Sequence, residues 1–434
     1  MKRRFRNWSG SVLTHPSDFH YPRTIAEVSS LVSAVPNIRP FGSAHSFSPC
    51  AAGEHHMLSL DNLNGVVKVD RERKRVRFLA GTRLHQVPKL LAPFGLALAN
   101  QGDINTQSLA GAISTSTHGT GIAWTGFAGT VTGLSLVDAH GQLREYSIDT
   151  DPDLLRLVTV SLGALGVIVE VEMQCVDAFD LLAVEATADI DEVLDTWEQR
   201  TRAVDHFEAF WFPHTDKAMV KNNTRLRPAE PAPGGEPKKR SRMTRIIEEE
   251  IVGNGAFAAS LAVSRAFPKT TGFFNGVAVG AMGANTYRCP AHEVFATPRR
   301  VRFHEMEFAV PLADGPSTVR RIRTEIDRRG WLIPFPLELR TTAADDIALS
   351  TSTGRESMYI AFHVPRAMNP QTYFPIVEAI LREAGGRPHW GKMHTMTGED
   401  LAPLYPRFDE FCALRAEMDP QRRFSSDYLR SLFG

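Results

Sequence analysis

Ile25, Val28, Leu31, Val32 and Val35 recur at helical spacing behind Pro22-Arg23-Thr24 and stop before Pro36. That stripe predicts a helix with one buried face. The apolar run Ile38-Arg39-Pro40-Phe41 then reads as a buried strand, giving a β–α–β start. Residues 66–69 and 76–80 alternate on either side of the charged link Asp70-Arg71-Glu72-Arg73-Lys74, the pattern of a hairpin. Leu84, Val87, Leu90 and Leu91 mark a second helix, and residues 133–138 and 143–147 bracket a second hairpin turn. Asp151-Pro152-Asp153 supplies an N-cap, a first-turn proline and a first-turn acid for a helix that should run to the Gly163 loop. A strand over 167–173 closes this mixed region near Cys175.

From Asp177 to about Pro388 strands such as 209–212 and 358–362 again lie among helical patterns, which predicts a second domain. Within it, the Pro-, Gly- and charge-rich run from Arg225 to Arg240 predicts a mobile loop. The chain of 434 residues is 43% hydrophobic, enough for two or three cores. Basic and acidic residues balance at 49 each, so no overall field draws the chain to nucleic acid or to an anionic membrane. No stretch approaches membrane-spanning length, and the basic start Met1-Lys2-Arg3-Arg4 lacks the apolar run of a secretory signal, so the expected location is cytoplasmic. Cys50, Cys175, Cys289 and Cys412 form no paired spacing, which argues for packing roles over a metal or disulfide framework.

Three loops carry the candidate chemistry. Gly42-Ser43-Ala44-His45-Ser46-Phe47-Ser48 follows the predicted strand, and small residues there let backbone N–H groups approach a diphosphate. Its imidazole is a nucleophile able to form a covalent link. Residues 107–121, including Ser108, Gly111, Ala112, Ser114, Thr115, Thr117, His118, Gly119 and Gly121, form the second loop, preceded by Asn100-Gln101-Gly102-Asp103. Gly163-Ala164-Leu165-Gly166-Val167-Ile168 is the third; it precedes a strand and not a helix, which points away from a Rossmann dinucleotide domain. In the second domain Glu338-Leu339-Arg340 puts two charges on one face of a strand, and His363 ends the run Tyr359-Ile360-Ala361-Phe362. Glu305 and Glu307 also share a face and read as the solvated side of a strand. Near the C-terminus, Gly391 of His389-Trp390-Gly391-Lys392 permits close backbone approach, and Lys392 offers a positive charge.

Taken in order, these segments resemble the sugar-lactone oxidoreductases of the vanillyl-alcohol-oxidase flavoprotein superfamily, over about Asn7 to Leu432. Their members include the L-gulono-1,4-lactone and D-arabinono-1,4-lactone oxidases or dehydrogenases and the alditol oxidases. The resemblance implies an α+β protein: a two-part PCMH-type FAD-binding domain over 1–175, then an α+β substrate or cap domain over 176–434 whose C-terminal segment returns to the flavin. It implies FAD held by Gly42, Ser43, Ala44, Ser46, Phe47, Gly102, Ser108, Gly111, Ala112, Ser114, Thr115, Thr117, His118, Gly119, Gly121, Gly166, Val167, Ile168 and Lys392, with His45 as the covalent tether. It further implies that Glu338, Arg340, His363 and Lys392 act on a sugar lactone, with oxygen or another acceptor taking the electrons. Pro365 stands where alditol oxidases carry a small threonine, which weakens an alditol reading. The alternatives are an alditol oxidase and a flavin-carrying binding protein without sugar turnover.

Overall fold

A computed structural model describes residues 4–233, 235–237, 255–297 and 300–434. Thr24 caps the helix Ile25–Ala34 by accepting from the Glu27 N–H, and Val28 and Val32 of its stripe are fully buried. The strand Ile38–Phe41 joins His56–Ser59 and Asp18–His20 in a small parallel sheet. Both predicted hairpins form, and their strands meet in one antiparallel sheet around Val167–Asp177. That strand runs four residues past the expected end at Met173 because it has partners along its whole length. Val131–Val137 and Arg75–Leu79 pair with most of it and Leu96–Leu98 pairs with its tail. Asp151 does occupy the cap position before Pro152–Val158, but its side chain caps nothing; it accepts from the Thr150 hydroxyl instead. The helix stops at Val158, short of the Gly163 loop.

The rest of the chain builds an eight-stranded sheet. Its order is Asn285–Pro290, Asp180–Asp189, Lys217–Leu226, His206–Trp211, Leu337–Thr342, Ser357–Pro365, Phe303–Pro311 and Arg387–Pro388. Because strand side chains alternate, one face carries Leu337, Leu339, Ile360, Phe362, Met306 and Phe308, and the other carries Glu338, Arg340, Tyr359, His363, Glu305 and Glu307. The apolar face packs against the helices Gly315–Arg329 and Phe374–Glu383 through Val319, Ile322, Ile326, Val377 and Leu381. Half-exposed antiparallel sheets usually give a polar face to water. Here that face is buried, because the N-terminal half lies on it: Gly121 donates to Thr341 O at 2.7 Å and pairs with Thr342.

The predicted mobile loop is corrected over its described part. Arg225 and Leu226 finish the strand Lys217–Leu226. Beyond it, the Arg288 guanidinium donates to the carbonyls of Glu230 (2.6 Å) and Arg227 (3.0 Å) and pairs with Glu236 (2.9 Å). A fixed fork of donors thus ties down a segment whose composition alone reads as unpacked. Gly234 and residues 238–240 of that run lie outside the described residues. Cys50 and Cys175 are buried, and Cys289 and Cys412 are half-buried.

The chain's end closes on its beginning. Ile38 N–H donates to Arg423 O (2.9 Å), and the Arg39 side chain, 1% exposed, donates to the carbonyls of Gly163 and Phe424 (2.9 Å each), Cys50 and Leu162. Arg39→Met keeps the apolar stem and strands four buried carbonyls, each costing about 1–3 kcal/mol when unsatisfied. Urea unfolding should show a loss of about 3 kcal/mol or more; an unchanged midpoint would mean that water replaces the guanidinium without cost.

Candidate active site

The first and third glycine-rich loops and the second loop's helical start form the walls of one slot. It is lined by Gly42, Ser43, Ala44, His45 and Ser46 on one side, Ser108, Gly111, Ser114 and Thr115 on another, and Gly166 and Ile168 at the base. The walls are held too close for larger side chains: a Cβ on Gly42 would lie 2.5 Å from Ser108 Oγ. Ala44 adopts a left-handed backbone (φ 56°), a strained conformation for a residue with a Cβ, and it sets the direction of His45. The His45 ring stacks on Trp8 at 5.2 Å. Burial, with Lys392 and Arg83 adding to it, pulls the His45 pKa down to about 4, so the ring is neutral at pH 7 with a free lone pair.

Several residues expected at the cofactor do not line this slot. Ala112 lies on the buried face of Leu109–Ser114 and Val167 on the core side of its strand. Gly102, Gly119 and Gly121 serve a close backbone approach: a Cβ on Gly102 would meet His118 O at 2.7 Å, and one on Gly119 would meet Gln101 O at 2.5 Å. That approach puts Asp103 and His118 against the polar face of the large sheet. Thr117 accepts from Gln107 Nε2 at 3.1 Å and steadies the same turn.

The C-terminal motif reaches the His45 loop. Phe47 N–H donates to Gly391 O (2.6 Å), Ser48 Oγ donates to Trp390 O (2.6 Å), and Lys392 Nζ lies 5.2 Å from the centre of the Phe47 ring. Trp390 is fully buried, and its indole N–H donates to Leu349 O at 2.7 Å. His389 accepts from Gly391 N–H at its Nδ1 (3.0 Å), and burial lowers its pKa to about 3, consistent with a neutral acceptor.

Two charge clusters occupy the buried polar face. In the first, Arg340 is ringed by three carboxylates: Glu338 at 2.5 Å, Glu208 at 2.8 Å, and Asp103 from the N-terminal half. Burial opposes its charge, but Asp103, Glu338 and Glu208 outweigh burial and raise its pKa further. Lys221 Nζ stands 3.3 Å from Glu208. In the second, Lys392 Nζ pairs with Glu305 at 2.5 Å and faces Glu307 at 3.9 Å. His363 Nε2 lies 3.3 Å from Glu305 with its Nδ1 on Pro336 O (3.2 Å), and His118 Nε2 lies 3.3 Å from Glu307 with its Nδ1 on Gly119 O (2.9 Å). Burial would raise the Glu305 carboxyl, yet Lys392 and His363 hold it down to about 2. His118 also stacks on Tyr359 at 3.5 Å, and burial lifts the Tyr359 phenol to about 12, so it stays neutral.

Glu305 and Glu307 are therefore not a solvated edge. They are 6% and 4% exposed and sit at the centre of the second cluster. Asp103, Glu208 and Lys221 were also missed. The available signal was period-two charge in strands that otherwise read as buried: Glu208 within 206–211, Glu305 and Glu307 within 303–311. A carboxylate there needs a partner, and none could be named without the strand order.

Glu305 contributes stability above its ordinary pKa of 4.5, and loses it as the pH falls toward 2, because the unfolded chain takes up a proton that the native state refuses. Glu305→Gln should destabilise the protein at neutral pH. It should also flatten the fall in stability between pH 4.5 and 2 by up to one proton, about 1.4 kcal/mol per pH unit. Denaturant unfolding across that pH range checks it; parallel curves for the two proteins would place the native carboxyl near its ordinary value.

Residues 171–432 match the D-arabinono-1,4-lactone oxidase family, and residues 16–147 match an FAD-binding domain. L-Gulono-1,4-lactone dehydrogenase of Mycobacterium tuberculosis is 35% identical over 433 residues, 99% of this chain and 98% of that protein. L-Gulonolactone oxidase of Mus musculus is 28% identical over 446 residues, with the same coverage. Among solved structures, cholesterol oxidase from Brevibacterium sterolicum superposes over 100% of this chain and 97% of its own with a TM-score of 0.81 at 16% identity, a likeness of fold. With its slot, its FAD-binding domain and relatives that span its length, the chain belongs to the D-arabinono-1,4-lactone oxidase family of FAD-dependent oxidoreductases.

Proposed function

We propose that this protein oxidises the C2 hydroxyl of an aldono-1,4-lactone of the L-gulono or D-arabinono type, and that residues 1–175 hold the FAD while 176–434 bind the sugar. The observation that carries the substrate half of this reading is the buried Arg340–Glu338 pair beside a surplus of carboxylates. So many buried donors and acceptors stabilise a fold poorly and suit a ligand rich in hydroxyls. The cofactor half rests on the slot walled largely by small residues, where Gly42, Ser43, Ser46, Ser108, Gly111, Ser114, Thr115 and Gly166 would hold the dinucleotide. Bound FAD would supply the two-electron acceptor for a hydride leaving the carbinol carbon, before passing the electrons to oxygen or another acceptor.

The chain's own residues divide the remaining work. Glu338 accepts from sugar hydroxyls and orients the ring, while the Arg340 fork stabilises negative charge on the oxygen as its proton leaves. His363 Nε2 holds a proton shared with Glu305. Lys392 sets an ammonium beside the His45 loop, and because Glu305 compensates it at 2.5 Å, it acts as an oriented ion pair and not as a bare cation. His45, neutral and stacked on Trp8, carries the tether.

Anaerobic addition of L-gulono-1,4-lactone or D-arabinono-1,4-lactone to the holoenzyme should bleach the flavin absorbance, and Arg340→Lys should slow that bleaching on the order of a hundredfold with a much smaller effect on lactone binding. Bleaching by xylitol or sorbitol alone would favour the alditol activity, and no bleaching by either class would leave a flavin-carrying binding protein. For the tether, acid-precipitated protein should stay yellow, and His45→Ala should release its flavin to the supernatant. Release from the unmodified protein would overturn the covalent link.

A further inference from the structure

Away from the polar face of the large sheet, a cluster of metal-ligating side chains stands on the small parallel sheet. Asp18 and His20 are two apart on the edge strand Asp18–His20 and so share a face, and the parallel register sets His56 opposite Asp18. Three ligating side chains from two strands therefore converge. His20 Nε2 stands 3.0 Å from His56 Nδ1 and 4.0 Å from Asp18 Oδ2, with the two imidazole planes tilted by 32°. One ligand atom from each residue lies within 4.8 Å of the other two. Tetrahedral ligands about 2.1 Å from zinc stand about 3.4 Å from one another, so small side-chain movements suffice to seat one ion among them. Phe19 N–H donates to Asp18 Oδ1 at 2.9 Å and turns Oδ2 toward His20, the kind of support that orients a carboxylate ligand.

Two other groups of carboxylates and imidazoles come as close together among the described residues, and both already contain a cation of the protein's own. Lys392 Nζ is 3.9 Å from Glu307 in the group with His118 and His389, and Arg340 sits among Asp103, Glu208 and Glu338. A divalent ion there would have to displace a fixed side-chain charge. The group on the small sheet differs in place and in composition. All three of its residues are half-buried, and the side chains of Asp18 and His20 keep 40% and 18% of their exposure, so an ion can enter from solvent and a water can complete the fourth position. Two imidazoles with one carboxylate suit zinc or a neighbouring late transition metal, whereas magnesium and calcium take oxygen donors.

From this geometry we propose that Asp18, His20 and His56 bind a zinc-like divalent ion, which clamps the edge strand Asp18–His20 onto His56–Ser59. The edge strand is three residues long and has few ladder bonds to hold it. A clip between His20 and His56 spans 36 residues of chain, and long closures of this kind remove the most freedom from the unfolded state. His56–Ser59 also pairs with Ile38–Phe41, whose end opens into the loop of residues 42–45. The register sets the ion level with Ile38, about 10 Å before Phe41 along the strand. The clamp therefore steadies the sheet that carries the His45 loop from the end away from the slot. It touches neither the slot nor the polar face, and the inference is independent of which sugar the protein oxidises.

Isothermal titration of the chelator-treated holoenzyme with Zn²⁺ tests the site, and amide hydrogen exchange tests the clamp. The unmodified protein should bind Zn²⁺ saturably, whereas Mg²⁺ and Ca²⁺ at the same concentrations should give no heat of binding. His20→Gln and His56→Gln keep a hydrogen-bonding amide where the imidazole stood, and each should weaken Zn²⁺ binding about tenfold or more. With Zn²⁺ present, exchange in residues 18–20 and 56–59 of the unmodified protein should slow about fivefold, and in either variant it should not. Neither histidine lines the slot, so the flavin content of both variants should match the parent and certify their folding. Should a variant lose its flavin, the exchange pattern of the unmodified protein decides alone. No saturable Zn²⁺ binding, binding that both glutamine variants retain, or binding that leaves exchange in these two strands unchanged overturns the inference.

Discussion

Arg340 is the charge on which the arrangement of the two halves depends. A guanidinium 7% exposed must find acceptors within the fold, and the large sheet supplies only Glu208 and Glu338. The third, Asp103, arrives from the N-terminal half on a turn that Gly102 and Gly119 allow to pass against its neighbour. The polar face of the sheet can therefore be dry only when the halves are docked. A set of buried charges is a weak source of stability, since desolvation offsets most of the Coulomb gain. What such a set does do is hold its donors and acceptors in fixed positions, which is what the proposed sugar ligand would need.

The second cluster follows the same logic with a different outcome. Glu305, Glu307 and Lys392 come from two segments far apart in the chain, and the register of Phe303–Pro311 against Ser357–Pro365 sets Glu305 directly opposite His363. On both His363 and His118, Nε2 faces a carboxylate and Nδ1 a backbone carbonyl. The cluster thus gathers two carboxylates and two imidazoles beside the segment that carries Lys392. Phe47 and Ser48, bonded to Gly391 and Trp390, tie that segment to the loop of His45, so the slot, the polar face of the sheet and the C-terminal motif share one junction.

What the sequence by itself determined was local. The helix at Ile25, both hairpins, the small-residue loops and the order of motifs that resembles a flavoprotein family all follow from spacing and residue type over short windows, where backbone preference and hydrophobic period act directly. Arg340 and Glu338 were legible as a pair for the same reason, being two apart on one strand. Glu305 and Glu307 have the same spacing, yet an alternating strand with charge on one face is the ordinary pattern of a sheet edge in water. Only the tertiary structure decided otherwise, by laying the N-terminal half over that face and bringing Lys392, His363 and His118 to it. The same holds for Asp103 and for the ordering of the run after Arg225 by Arg288. Period and composition state how a side chain is paired with its own strand or helix. Whether water or protein lies beyond it depends on contacts between residues distant in the chain, and the energy of a buried charge is set almost entirely by those contacts.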